Sequence, residues 1–243
     1  MNAGGDNMQD RYAGDVGDYV KLGMLRQLSA GRKLGIAWYL YPDEGHNADG
    51  RHIGYLSLPD RWRRLDPELF DALKTVADNT RSVQALQQTG IIGDLFHGTP
   101  LTSEALPWQQ RSAWRHEWFQ DVVASMCDAD VVCADPDNGL VDDDPKRRTK
   151  AKFGKSITLQ EATALAHNRP AIIYHHNTRR PGGHDREVEY WLSQFDDGAF
   201  AIRANAYSCR TFFVLNPDNQ IFERAQEFCY KWSERGVRLH IGG

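Results

Sequence analysis

Short apolar runs alternate with longer stretches of helical periodicity along this chain, and that order constrains the fold more than any other feature. Runs typical of buried strands occur at residues 34–41 (LGIAWYLY), 130–134 (DVVCA) and 171–174 (AIIY). Apolar residues at three- and four-residue spacing predict helices over residues 67–88, 107–126 and 159–167. Strands that alternate with helices are typical of a mostly parallel sheet covered on both faces. We therefore predict an α/β fold, a Rossmann-like three-layer sandwich.

Further elements towards both ends of the chain extend this pattern. Helices are predicted over residues 15–28, with Asp15 as the N-cap, and over residues 185–195 and 220–235. Strands are predicted at residues 200–204 and 209–215. Because no linker rich in Pro, Gly or Ser divides the chain, we expect residues 1–243 to form a single domain. Residues 56–107 lack a confident strand, which predicts a helical subdomain inserted on the sheet.

The composition favours a folded domain and limits its partners. Apolar residues make up 41% of the chain, enough to bury a core. The formal net charge of −4 gives the whole molecule no long-range attraction for a polyanion, so nucleic-acid binding requires a local basic patch. One basic run, from Lys146 to Lys155, directly follows an acidic run. It is either such a patch or a solvated loop.

Cysteine spacing and the N-terminal sequence indicate the cellular setting. The cysteines form no CxxC pair, which favours reduced thiols over a zinc site or a disulfide framework. Residues 1–15 are polar and glycine-rich, unlike a signal peptide. No apolar run approaches the roughly 20 residues that a membrane span requires. We expect a soluble, cytoplasmic protein with no membrane partner, and the sequence leaves its oligomeric state open.

Polar residues directly follow the predicted strand at residues 130–134. They are Asp135, Pro136, Asp137, Asn138 and Gly139. In a parallel sheet the active site lies beyond the carboxyl ends of the strands. The proline fixes its own φ and restricts the residue before it, so Asp135 is a fixed acceptor. Asp135, Asp137 and Asn138 are therefore candidate catalytic residues, although an ordinary turn has the same composition.

Polar residues also follow two other predicted strands. The loop at residues 42–51 contains Asp43, Gly45 and His46, and its density of polar groups suits a ligand or metal site, or a solvated loop. The third segment, residues 174–180, contains adjacent histidines that point to opposite faces of a strand, so that one of them can face the site. Candidate substrate-binding residues are His175, Arg179, Arg180 and Lys152, because guanidinium and ammonium groups bind phosphate oxygens.

The order of these segments resembles the S-adenosylmethionine-dependent methyltransferases that modify adenine N6 in large-subunit ribosomal RNA. The resemblance lies in YAGDVGDYVK at residues 12–21, LGIAWYLYPDEGHNADG at 34–50, ADPDNGL at 134–140 and FFVLNPDNQIFERAQEF at 212–228. It implies a Rossmann-like sheet and a cofactor, S-adenosylmethionine, near Lys21, Asp43, Gly45 and His46. It also implies that Asp135 accepts a hydrogen bond from the amine being methylated. The methyltransferase-like hypothesis adds Asn138 as a residue that contacts the substrate.

The chain departs from that family in two motifs. Asp137 and Asn138 stand where the family's DPPY motif has its second proline and its tyrosine, so the aromatic face on which a flipped base stacks is missing there. Asp43 and His46 stand where the family has the closely spaced glycines of its cofactor loop.

Three functions follow as hypotheses. The first is a methyltransferase-like protein, divergent or inactive, that acts on nucleic acid or a nucleotide. The second is a Mg²⁺-dependent phosphodiesterase or nuclease that uses Asp135 and Asp137 as ligands, with Lys152 or Arg179 near the leaving phosphate. The third is a non-catalytic binding module, anchored through the tryptophan-rich helix that contains Trp108.

Overall fold

A computed structural model describes residues 10, 12–42, 52–206 and 208–242. The strands are β1 (Leu34–Trp38), β2 (Leu95–His97), β3 (Val131–Asp135), β4 (Gly139–Val141), β5 (Ser156–Thr158), β6 (Ala171–His176), β7 (Phe200–Ala204), β8 (Arg210–Leu215) and β9 (Val237–Ile241). Seven of them form one sheet in the order β2-β1-β3-β6-β8-β7-β9, and β4 pairs separately with β5.

The central sheet is mostly parallel. β2, β1, β3 and β6 run in one direction, and β8 runs antiparallel between β6 and β7. β7 therefore has the direction of the parallel strands, and only β8 and the edge strand β9 oppose it. The carboxyl ends of β1, β3, β6 and β7 consequently lie at the same edge of the sheet.

Helices cover both faces of this sheet. They are α1 (Val16–Leu28), α2 (Pro59–Trp62), α3 (Pro67–Asp78), α4 (Val83–Gln88), α5 (Trp108–Ser125), α6 (Pro145–Arg148), α7 (Leu159–Leu165), α8 (Gly183–Leu192) and α9 (Asn219–Lys231). Side-chain caps begin several of them: Asp15 accepts from the Asp18 N–H, and Asp66 accepts from the Leu69 N–H just before Pro67.

Two hydrophobic cores lie on opposite faces of the sheet. Alternation along β1 directs Ile36 and Trp38 into the core with α1, α3 and α9, whereas Ala37 and the following Tyr39 enter the core with α5, α7 and α8. The molecule therefore has three layers, and the predicted α/β, Rossmann-like fold is confirmed.

The segment at residues 56–107 contributes both helices and a strand. α2, α3 and α4 lie within it, and their apolar residues, such as Leu69 and Leu73, join the core beside α1. It also contains β2, which pairs with β1 in the central sheet and was not expected from the sequence. Among the described residues, no helix combines the length and apolar character needed to cross a membrane.

Candidate functional site

The chain reverses its direction of travel across the sheet between β1 and β3. From β1 the chain continues to β2 on one side, and from β3 it continues to β6 on the other side. In α/β sheets such a switch point opens a crevice beyond the carboxyl ends of the two strands, where ligands bind. Trp38 and Asp135, the last residues of β1 and β3, are register partners at that point.

One stripe of α1 carries charge to this crevice. Asp15, Asp18 and Lys21 are three residues apart, so they lie along one side of the first turns of the helix. The Lys21 Nζ atom lies 2.7 Å from Asp135 Oδ2 and 2.9 Å from Asp18 Oδ1. It also lies 5.1 Å from the centre of the Trp38 ring. The helix and both strand ends therefore meet at a single buried ammonium group.

A second cation reaches the same cluster from β8. The Arg210 guanidinium lies against Gly17, where a Cβ atom would come within 2.5 Å of Arg210 Cζ. A side chain at residue 17 would have to displace the guanidinium, so the glycine permits this approach. Tyr174 on β6 lies beside Arg210: burial raises the pKa of its hydroxyl, and the guanidinium opposes that rise.

Within the part of the chain that the structure describes, the cluster contains one more carboxylate than cation. The buried carboxylates are Asp15, Asp18 and Asp135, and the buried cations are Lys21 and Arg210. Burial raises the pKa of Asp135 although Lys21 opposes the rise, and burial together with Asp18 raises the pKa of Asp15. Burial alone would lower the pKa of Lys21, but Asp135 and Asp18 outweigh it and raise that pKa. The excess of carboxylates therefore favours proton uptake, or a ligand that brings positive charge.

The turn after β3 directs its second carboxylate to another lysine. Asp137 Oδ2 lies 3.9 Å from Lys155 Nζ, which is itself 4.7 Å from the centre of the Tyr41 ring. Asn138 is exposed, and its N–H donates to the Lys155 carbonyl oxygen at 2.8 Å. Asp135 and Asp137, which flank Pro136, therefore contact different lysines.

His175 is buried, and both of its ring nitrogens lie in contacts. The Leu140 N–H donates to Nδ1 at 3.0 Å, so the ring proton is assigned to Nε2, which lies 3.3 Å from Glu187 Oε1. Gly139 has φ +85°, and a Cβ atom there would lie 2.5 Å from His175 Cα. The glycine of the turn is therefore required by close packing against His175.

The other predicted substrate-binding residues lie nearer the surface. Lys152 and Arg179 are exposed, and the Arg180 guanidinium stacks 3.4 Å from the centre of the Tyr190 ring. Asp43, Gly45 and His46 lie outside the described residues. Trp108 is 60% exposed, whereas Trp118 is buried.

Several members of the cluster were not predicted as site residues from the sequence, namely Asp18, Trp38, Tyr174 and Arg210. The three-residue spacing of Asp15, Asp18 and Lys21 was visible in the sequence and could have indicated the stripe. The approach of Arg210 to Gly17 had no such signal, because it depends on the pairing of β8 with β6.

Two further observations concern ligands and relatives. Among the described residues, no group of three or more His, Cys, Asp or Glu side chains is arranged to hold a metal ion. Neither protein-family models nor curated protein sequences give a match to this chain.

Proposed function

We propose that this chain is a methyltransferase-like enzyme that uses S-adenosylmethionine to modify an amino group of a nucleotide or nucleic acid. The contact between Lys21 and Asp135 supports this proposal most strongly. It joins two segments of the resemblance across 114 residues of sequence and lies at the switch point of the sheet.

The charge of the cluster suits this cofactor. S-adenosylmethionine carries a sulfonium and an ammonium group beside one carboxylate, and when bound it supplies an electrophilic methyl group. Three buried carboxylates against two buried cations complement a ligand of net positive charge. The residues present therefore fit the cofactor by their charge.

Asp135 is suited to the role of proton acceptor. Lys21 donates to Oδ2 and fixes the carboxylate, and the hydrogen bonds of the described residues leave Oδ1 available. An amino group of the substrate donates its hydrogen bond to Oδ1 in this proposal. The raised pKa of Asp135, caused by burial, allows the carboxylate to take up the proton that the amine releases.

Cofactor binding is tested by calorimetric titration with S-adenosylmethionine. We expect Asp18→Asn to weaken binding by about 10-fold, because it removes the excess negative charge of the cluster, and a charge-assisted contact contributes roughly 1.5–3 kcal/mol. Asp130→Asn is the matched control, because Asp130 is exposed and precedes β3 at the opposite edge of the sheet. Absence of heat and of a thermal shift with wild type at millimolar ligand would refute the proposal.

Catalysis is tested by transfer of a labelled methyl group to RNA, DNA and free nucleotides. Asp135→Asn should lower the rate by about 100-fold or more, as loss of a positioned general base does. Asp130→Asn serves as the control, because Asp130 is exposed and precedes the same strand at its other end. Equal rates for the two variants would exclude Asp135 from the reaction.

The Mg²⁺-dependent phosphodiesterase hypothesis has less support. A shared metal ion requires two carboxylates that converge, and Asp135 and Asp137 contact different lysines. Mg²⁺-dependent cleavage of RNA or DNA that Asp135→Asn abolishes would favour it over methyl transfer. The exposed Trp108 keeps the binding-module hypothesis open.

A further inference from the structure

Two arginines face each other at the antiparallel end of the sheet. Arg203 on β7 and Arg238 on β9 are register partners, and like charges in that position destabilise a sheet. Both guanidinium groups donate to Asp185 in the first turn of α8, Arg238 at 2.5 Å. A single carboxylate therefore balances two cations.

Donor groups at this place exceed the acceptors. Arg203 is only 6% exposed, its Nη2 atom contacts His184, and its Nε atom has no hydrogen-bond partner within the described residues. α8 begins at Gly182 with φ +96° and no side-chain cap, so its first N–H groups add positive potential. Among the described residues, the buried Arg203 guanidinium therefore has more donors than acceptors.

More arginines lie on α8 and in the loop before it. Arg179 and Arg180 lie in the loop before α8, and Arg186 is exposed in its second turn. The acidic residues near them on α8 are Asp185, the buried Glu187 and Glu189. The arginine surface is the set Arg179, Arg180, Arg186, Arg203 and Arg238. It is a local positive excess in a chain of net charge −4.

The arginine surface lies at the same edge of the sheet as the Asp135 cluster. The strand order β3-β6-β8-β7 places β7 three strand spacings from β3, about 14 Å. Arg179 and Arg180 follow β6, next to β3, and Arg203 and Arg238 lie farther out. The cations therefore lie towards β9 along this edge, and strand alternation places Arg203 on the α8 face of the sheet, opposite the α1 face on which Asp135 lies.

We propose that the arginine surface binds the phosphate groups of a nucleic-acid backbone and holds the strand after it has crossed the carboxyl edge of the sheet, from Asp135 on the α1 face to the α8 face. The choice of nucleic acid as substrate rests on the proposed function, whereas the phosphate chemistry rests on the arginines themselves. Guanidinium groups bind phosphate oxygens through paired donors, and a row of them suits successive phosphates.

The first test measures fluorescence anisotropy of a short, labelled, single-stranded RNA or DNA as salt is varied. Arg238→Ala, at a residue whose side chain is 49% exposed, should weaken binding about 3- to 10-fold and reduce the salt slope by about 1. Arg179→Ala, at an exposed position, should act in the same direction. Arg32→Ala is the control, since it removes the same charge at the amino edge of the sheet.

A second variant is expected to bind the oligonucleotide more tightly. Asp185→Asn releases both guanidinium groups from their carboxylate, so affinity for the oligonucleotide should rise about 3-fold and the salt slope should increase. A purely structural role for Asp185 would lower affinity instead. Asp197→Asn, in the exposed turn after α8, controls for the change in net charge.

The outcomes separate this proposal from the proposed function. The proposal is wrong if Arg238→Ala and Arg32→Ala behave alike, or if wild type does not bind the oligonucleotide. It is also wrong if a mononucleotide competes as well as the oligonucleotide, because that result indicates a single-phosphate site. Titration with S-adenosylmethionine reports on the methyltransferase function alone. Arg238→Ala should leave the affinity of the protein for S-adenosylmethionine unchanged.

Discussion

Asp135 and Glu187 are both buried carboxylates, with 5% and 1% of their surface exposed, yet they differ in how many hydrogen bonds they accept. Glu187 accepts from the Thr178 N–H and hydroxyl and from Asn177, and it contacts His175. Asp135 accepts from Lys21. Burial alone would raise both pKa values, but the donors around Glu187 outweigh burial and lower its pKa to about 2, whereas the pKa of Asp135 is raised.

This difference separates a structural carboxylate from a reactive one. A carboxylate whose oxygens are occupied by donors is held as the anion and has no capacity for a ligand. A buried carboxylate with one free oxygen can accept a further hydrogen bond or a proton. The Glu187 cluster therefore stabilises the fold around His175, and the Asp135 cluster is the better candidate for chemistry.

The largest expected effect is on stability, from Glu187→Gln. The amide cannot accept all of these hydrogen bonds, so the free energy of unfolding at neutral pH should fall by about 3 kcal/mol, the equivalent of the lowered pKa. Urea unfolding monitored by circular dichroism measures the change. Glu189→Gln, two residues along α8 and exposed, should change stability by less than about 0.5 kcal/mol.

The same variant gives a pH test with a defined sign. The pKa of Glu187 in the folded protein, about 2, lies below its usual value of 4.5. Its contribution is therefore present above pH 4.5 and is lost as the pH falls towards 2. The difference between wild type and Glu187→Gln should shrink over that interval, and a constant difference would contradict the assignment.

An intermediate loss of stability is expected from Gly139→Ala. The added methyl group would clash with His175, which contacts Glu187. The added Cβ atom would lie 2.5 Å from His175 Cα and Nδ1 at a φ of +85°. Gly198→Ala has a similar φ of +94° and open space around the Cβ atom, so it measures the backbone strain alone. We expect the free energy of unfolding of Gly139→Ala to be about 2 kcal/mol lower than that of Gly198→Ala. Equal stabilities would mean that the clash relaxes without cost.

The smallest stability effect is expected from Asp135→Asn, within about 1 kcal/mol of wild type at neutral pH, because two carboxylates then face two cations. The raised pKa of Asp135 implies a contribution that is complete below pH 3.8 and is lost as the pH rises through the folded-state pKa. Wild type should therefore lose more stability than the variant in that range, because the variant retains the raised pKa of Asp15 in this cluster but not that of Asp135. A large loss of stability in the variant would place Asp135 with Glu187 among the structural carboxylates.

The sequence predicted the parts of the fold that depend on local pattern. The apolar runs became β1, β3 and β6, and Asp15 caps α1 as expected. β2 escaped prediction because it has only three residues and obtains its pairing from β1. β4 was also missed, because the turn at Gly139 continues into a strand that pairs with a distant partner.

The sequence predicted members of the candidate site only where a pattern within one segment identified the residue. Asp135 was selected because it follows a strand and precedes a proline, and Lys21 because of a family resemblance. Arg210 and Tyr174 join the cluster through strand pairing between β6 and β8, which no local pattern encodes. Glu187, the partner of His175, lies on a helix whose sequence resembles any solvated helix.

The charged stripe on α1 has a consequence for engineering and for natural variation. Asp15, Asp18 and Lys21 share one side of the helix and project towards the crevice together. Insertion or deletion of a single residue between Lys21 and the end of α1 would turn this side by about 100° relative to the remainder of the helix. The three charges would then leave the crevice as a unit, so length changes in this helix are far less tolerable than point substitutions on its outer side.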